Sequence, residues 1–210
     1  MLLRDNVYDA VRADILACRL APGAELREQE LAERYQVSRA PIRDALLRLE
    51  LERLVTIHPR KGSSVNPISL ADAREIFRYR LVLEPACASD AAENASSDML
   101  EKLDQFRHFP ADGDFIDYNR GFHAAVAAAS GNNRMAAATS ELIDQAERLV
   151  RVSLTGIKGR DPAQLVAEHS ALIDAMQRRD ARAAARIIRD HIAKAERRVL
   201  SALARSAVVS

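Results

Sequence analysis

Three histidines in the second half of this 210-residue chain, His123, His169 and His191, are of a metal-ligating type and fall in predicted helices, and Asn119 stands four residues before the first of them. On a helix that spacing puts Asn119 and His123 on one face. His169 and His191 fall in the last two predicted helices, which could face that pair across a bundle core. Three imidazole nitrogens and an amide oxygen suit a borderline divalent ion such as zinc, nickel or manganese and leave coordination positions open. The alternative for each histidine is an ordinary hydrogen-bonded or exposed ring, and spacing alone does not choose between the two. If a metal is held, its ligands are all neutral, so its +2 charge favours an anion in the open positions. Arg80 points the same way: it interrupts the apolar stripe Ala73, Ile76, Phe77, Leu83 and Cys87, so its guanidinium is expected to be partly buried and to need an anion. A small carboxylate bridging metal and Arg80 is one candidate; Glu84, one turn on, is the other.

A second constellation lies near the start. The first 67 residues hold 11 Lys/Arg against 10 Asp/Glu, yet the stretch from Arg34 to Arg43 has three arginines and no acid. Arg39 and Arg43 are four apart and share a helical face, while Ile42, Ala45, Leu46 and Leu49 occupy the opposite one. A helix opening with Ser38 and presenting Arg39 and Arg43 suits the DNA major groove, because guanidinium pairs bidentately with guanine and a helix N-terminus meets phosphate. The basic turn Arg60-Lys61-Gly62 would then lie on flanking backbone or in the minor groove. The competing reading is a solvated arginine face.

The elements that must position these groups follow from period and punctuation. Apolar residues at Val7, Val11, Ile15 and Leu16 predict a helix over 7–20, ended by Pro22-Gly23. A second is expected from Arg27 to Tyr35, and a third after Ser38 as N-cap, with Pro41 in its first turn, running to Arg53. Leu54–Ile57 and Ser63–Val65 read as two strands of a hairpin. From Ser69 onward the chain is alanine-rich and amphipathic, with no further strand. Helices are expected over 69–94, 97–109 (capped by Ser97), 114–130, 132–154, 161–177 and 180–204, with a turn over Thr155–Gly159. The expected protein is mostly α: a winged helix-turn-helix of three helices plus a β-hairpin wing in residues 1–67, then an all-α six-helix bundle in 68–210.

Composition narrows the classes. With 48% hydrophobic residues the chain can bury one large core or two modest ones. No apolar run approaches the roughly 18–20 residues of a membrane span, and charges interrupt the N-terminus, so a cytoplasmic protein without a signal peptide is expected. Cys18 and Cys87 lack metal-site spacing and read as reduced core thiols. The net charge of +1 does not advertise nucleic-acid binding by itself, which leaves the local arginine cluster to carry that reading.

The run from Pro22 to Leu46, PGAELREQELAERYQVSRAPIRDAL, with Leu49, Leu54-Val55 and the wing glycine Gly62, resembles the N-terminal module of the GntR family of regulators. The resemblance implies DNA contacts from Ser38, Arg39 and Arg43, a contact from Gln29, and backbone contact at Gly62. Arg53 departs from the family, which usually has glycine there. The second half is similar to the FCD effector domain of that family, on Arg80, the segment Asn119–His123, His169 in Glu168-His169-Ser170, and His191. That likeness implies a helical domain holding a divalent metal at Asn119, His123, His169 and His191, with asparagine standing where the family usually has aspartate. A metabolite-responsive transcription regulator is the function implied, a repressor released by a small carboxylate bound at Arg80.

One recognition helix reads only a few base pairs, so a homodimer on a palindromic double-stranded operator, with half-sites about 34 Å apart, is expected. The rival class is a metal-dependent hydrolase or isomerase using the histidine site, for which Glu84 and Glu168 are the evident acid–base candidates.

Overall fold

In the computed structural model, which describes residues 3–154 and 162–207, the chain divides into two compact units, Met1–Ile68 and Ser69–Ser210. The turn expected over Thr155–Gly159 lies outside the described residues.

In the first unit, α1 (Leu3–Leu16) buries Val7, Val11 and Ile15. It stops four residues before the expected end because Cys18 takes a left-handed backbone (φ 56°) and its N–H closes back onto Ile15. The next helices, α2 (Glu28–Arg34) and α3 (Arg39–Leu51), are joined by a tight turn in which Gln36 has φ 55° and Val37 N–H donates to the Ala32 carbonyl. Ile42, Ala45, Leu46 and Leu49 of α3 are buried, as their spacing predicted. The wing is the antiparallel pair β2 (Val55–His58) and β3 (Gly62–Val65), with Thr56 opposite Ser64. A third strand, β1 (Glu25–Leu26), pairs with the other edge of β3, giving the order β1-β3-β2. Its Leu26 joins the core of Leu49, Leu54, Val55 and Val65.

Arg53 follows the C-cap of α3 with φ 58°, and the Leu54 N–H donates to the Leu49 carbonyl, closing the helix as a glycine would. The departure from glycine is thus accommodated by left-handed strain rather than by a different turn.

The second unit holds six α-helices among the described residues: α4 (Leu70–Asn94), α5 (Ser97–Glu101), α6 (Phe115–Ala129), α7 (Asn133–Leu154), α8 (Pro162–Gln177) and α9 (Ala181–Ala207). Ser69 caps α4 by accepting from the Asp72 N–H, as expected. Ser96, not Ser97, caps α5, because its hydroxyl accepts from the Met99 N–H; the segment then tightens to a 3₁₀ turn over Lys102–Arg107 instead of running as one helix to Phe109. Asp114 caps α6 through the Ile116 and Asp117 N–H groups. The long α4 packs along α9 and also touches α6, α7 and α8, so it forms the spine on which the histidine-bearing helices are assembled.

Candidate metal centre and DNA-binding face

Helices α6, α8 and α9 deliver His123, His169 and His191 to one point in the core of the second unit. Each histidine offers a ligand nitrogen, and these atoms lie within 4.8 Å of one another. All three rings are buried. His123 and His191 bring their Nε2 atoms to 3.3 Å, close to the roughly 3.4 Å that separates two nitrogens on a tetrahedral zinc.

Carboxylates set the chemistry of those nitrogens. Glu84 Oε2, from α4, lies 2.5 Å from His123 Nδ1, and Glu168 Oε2, from α8, lies 2.6 Å from His191 Nδ1. A carboxylate accepts, so each Nδ1 donates and each Nε2 is turned toward the cluster. The two Nε2 atoms, 3.3 Å apart in a dry core, are satisfied either by one proton shared between them or by a cation that both ligate. His169 points to a cation: neither of its buried ring nitrogens has a hydrogen-bond partner among the described residues, and its ring is stacked on Phe122 at 3.7 Å. Such an imidazole is costly unless something else satisfies it. The residues therefore fit a divalent metal.

Burial keeps two of the rings neutral. It lowers the His191 pKa to about 4, and burial with the neighbouring histidines pushes that of His169 well below the usual imidazole range. The bond from His191 and that from Lys194 hold Glu168 ionised, its pKa lowered to about 2 despite partial burial. Burial opposes ionisation of Glu84, yet Arg80 and His123 outweigh it and hold its carboxyl below the ordinary range.

Arg80 is buried, and its Nε donates to Glu84 Oε1 at 2.5 Å. Of the two anions weighed for it, Glu84 is present, and the same carboxylate braces His123. The resulting chain, Arg80 to Glu84 to His123, ties α4 to the histidine cluster. Asn119 lies one turn before His123 on α6, half-buried. The bracing roles of Glu84 and Glu168 were not read from the sequence; their only signal was an acid one residue before His169 and one a turn after Arg80.

In the first unit, Gln29, Ser38, Arg39, Arg43 and Gly62 all reach solvent. Ser38 stands at the N-cap of α3, but its hydroxyl makes no capping bond. Gln29, Val37, Ser38 and Arg39 line one open cleft between α2 and α3. Arg39 Nη2 donates to Gln29 Oε1 at 3.0 Å, and Arg43 makes a two-point pair with Glu28, 3.0 Å from Nε and 2.7 Å from Nη2. Glu28 was missed by the sequence reading, since its contact crosses 15 residues. Gly62 has φ 94°, which favours glycine at the start of β3.

A three-helix unit with a β-wing and an arginine-bearing third helix, joined to a helical bundle with a buried histidine cluster, defines a DNA-binding regulator with a sensing domain. The comparisons agree. Residues 3–65 match the model for bacterial regulatory proteins of the gntR family and residues 75–194 that for the FCD domain. The chain is 28% identical over 197 residues to the HTH-type transcriptional repressor RspR of Escherichia coli K12, covering 90% of this chain and 86% of that one. It is 30% identical over 203 residues to the HTH-type transcriptional regulator BphR of Paraburkholderia xenovorans LB400, covering 90% and 82%. The fold superposes on E. coli McbR/YncC with a TM-score of 0.81 at 22% identity, over 96% of this chain and 98% of the other. The chain belongs to the gntR family of bacterial regulators, in the group that carries an FCD domain. It is a transcription regulator, and the hydrolase or isomerase alternative falls with that assignment.

Proposed function

We propose that the protein is a cytoplasmic homodimeric repressor that binds a palindromic operator through α3 and the wing and leaves it when a small carboxylate enters the FCD domain. The observation that carries the sensing half is the buried convergence of His123, His169 and His191 with two of the rings braced by carboxylates. His123, His169 and His191 would hold a divalent ion, with Asn119 as a fourth, neutral ligand; zinc, nickel and manganese all suit the set. When bound, the metal supplies a Lewis-acidic point of attachment for an anion.

Charge counting supports a carboxylate effector. Glu84 is matched by Arg80 and Glu168 by Lys194, so the named charged groups around the rings cancel. A +2 ion then leaves the site positive, and an anion restores balance. In this reading the effector lies against both the metal and the Arg80 guanidinium, whose Nε remains with Glu84. Names among the relatives, RspR being called a repressor, support repression as the default action.

On the DNA side, Arg39 and Arg43 would read base edges, Ser38 and Gln29 would meet backbone and base at the cleft mouth, and Gly62 would let the wing backbone approach phosphate. No described helix is long and apolar enough to cross a membrane. Titration calorimetry with organic acids on zinc-loaded protein tests the proposal. Binding should occur for small carboxylates and be lost in Arg80→Ala and His123→Ala; acid responses unchanged in both variants would refute the site.

A further inference from the structure

Helix α9 has two faces of opposite character. The inner one, with Ala184, Ile188, His191, Ile192, Ala195 and Val199, is buried. On the other side Arg182, Arg186, Arg189 and Arg197 are exposed. At about 100° per residue these four fall within an arc of about 80°. None of them makes an ion pair or a side-chain hydrogen bond among the described residues. Elsewhere in the same unit Arg107, Arg120 and Arg151 are each paired with carboxylates, and on α9 itself Lys194 is paired with Glu168. Two acids border the row: Asp190, exposed at one edge, and Glu196, half-buried at the other.

The charge is local. Residues 178–198 hold eight Lys/Arg against three Asp/Glu, while the whole chain holds 31 against 30, so the rest of the chain carries more acid than base. Arg182 and Arg186 are four apart, and Arg186 and Arg189 three apart, so like charges crowd one another and weaken the helix that carries them. An external anion would relieve that repulsion.

The row from Arg182 to Arg197 is about 22 Å long. Duplex DNA presents a phosphate about every 3.4 Å along each strand, so several phosphates of one strand lie within its reach. Guanidinium forks match phosphate oxygens. A protein partner is instead held by an apolar or aromatic centre inside a polar rim. The exposed large apolar side chains, Leu47, Leu51, Tyr79, Val82 and Met99, all lie on other elements, and Ala193, within the row, is half-buried. A lipid surface is met by an apolar helix face, which α9 turns into the core. DNA held by the winged helix is tethered to the second unit at high effective concentration.

We propose that the outer face of α9 is a second, sequence-independent DNA contact, which grips the phosphate backbone of the duplex flanking the operator. The inference rests on operator binding by the winged helix. Because His191 lies on the inner face of α9, the histidine site and the backbone contact share one helix.

Fluorescence anisotropy with full-length protein tests it. The probes are a labelled duplex from the protein's own promoter region and the same duplex trimmed to the shortest length whose binding still depends on Arg43. Wild type should bind the long duplex about tenfold more tightly, with a log–log salt slope steeper by about 1 for each engaged arginine. Arg182→Gln/Arg186→Gln/Arg189→Gln should bind the two duplexes alike. Arg74→Gln/Lys102→Gln/Arg134→Gln, which removes the same charge from exposed positions on other elements, should keep the preference for the long duplex. If wild type gains nothing from length, or the α9 variant keeps the gain, operator binding stands and the α9 contact is overturned. Equal loss in both triple variants would trace the effect to net charge and overturn it as well. If wild type binds neither duplex, the operator reading and this inference fail together.

Discussion

Replacing Glu84 by glutamine interrogates the second unit at its most connected point. The two carboxylate oxygens accept from Arg80 Nε and His123 Nδ1, both at 2.5 Å, and Arg80 and Glu84 are each only 3% exposed. Glutamine keeps the shape but offers one acceptor oxygen and an NH₂ group, so one of the two donors must face another donor. It also leaves the Arg80 guanidinium as a buried charge without its counterion. Removing one partner of a buried pair costs about 3–5 kcal/mol. At about 2–4 °C per kcal/mol for a unit of this size, the melting temperature of chelator-treated protein should fall by about 10 °C. Zinc affinity, measured by competition with a chromogenic chelator, should fall about 10- to 100-fold, because His123 loses the group that fixes its tautomer. Arg80→Met combined with Glu84→Gln should recover most of the stability but not the zinc affinity, since the first removes the unpaired charge and nothing restores the brace. A Glu84→Gln protein melting within about 2 °C of wild type and binding zinc within about threefold would refute the argument.

Further expectations follow from other sites. His169→Phe should raise the melting temperature of chelator-treated protein, by about 1–2 kcal/mol of stability, since it removes two unsatisfied buried nitrogens beside Phe122; it should also abolish the stabilisation that zinc confers on wild type. Arg53→Gly should stabilise the winged-helix unit by about 0.5–1 kcal/mol in chemical denaturation, because φ 58° suits glycine. Asp14 is buried, which opposes ionisation, but bonds from Tyr35 and Arg19 and the charge of Arg34 win and lower its pKa. Its contribution is therefore complete above the unfolded-state value of about 3.9 and is lost as pH falls through the lower folded-state value. Asp14→Asn should destabilise the unit by about 1–3 kcal/mol at pH 7, and the difference from wild type should shrink below about pH 4 in thermal melts. Arg43→Ala should weaken operator binding about 10- to 100-fold and lower its salt dependence, read by fluorescence anisotropy.

Much of this was legible in the sequence because it rests on local rules. The helical period placed Ile42, Ala45, Leu46 and Leu49 in the core, and Ser69 announced the start of α4. What escaped rests on pairing between distant segments. β1 has two residues, too few to show alternation, and exists only because β3 offers it an edge. Ser96 and Ser97 are equivalent as caps until the backbone decides which hydroxyl meets the Met99 N–H. The resemblance to the FCD domain named the three histidines, but not the 39-residue separation across which Glu84 reaches His123. The pairing of Glu28 with Arg43 was hidden for the same reason; under the proposed DNA contact, Arg43 would exchange that carboxylate for the operator.

The central claim is that occupancy of the histidine site governs DNA binding. Its most direct test is anisotropy of a labelled duplex from the protein's own promoter region, titrated with zinc-loaded protein in the presence and absence of a panel of small carboxylates. Salt-dependent binding that at least one acid reverses in wild type, but not in His123→Ala or Arg80→Ala, is the predicted result. Operator binding that no acid changes, or that the same acid reverses equally in both variants, would contradict it.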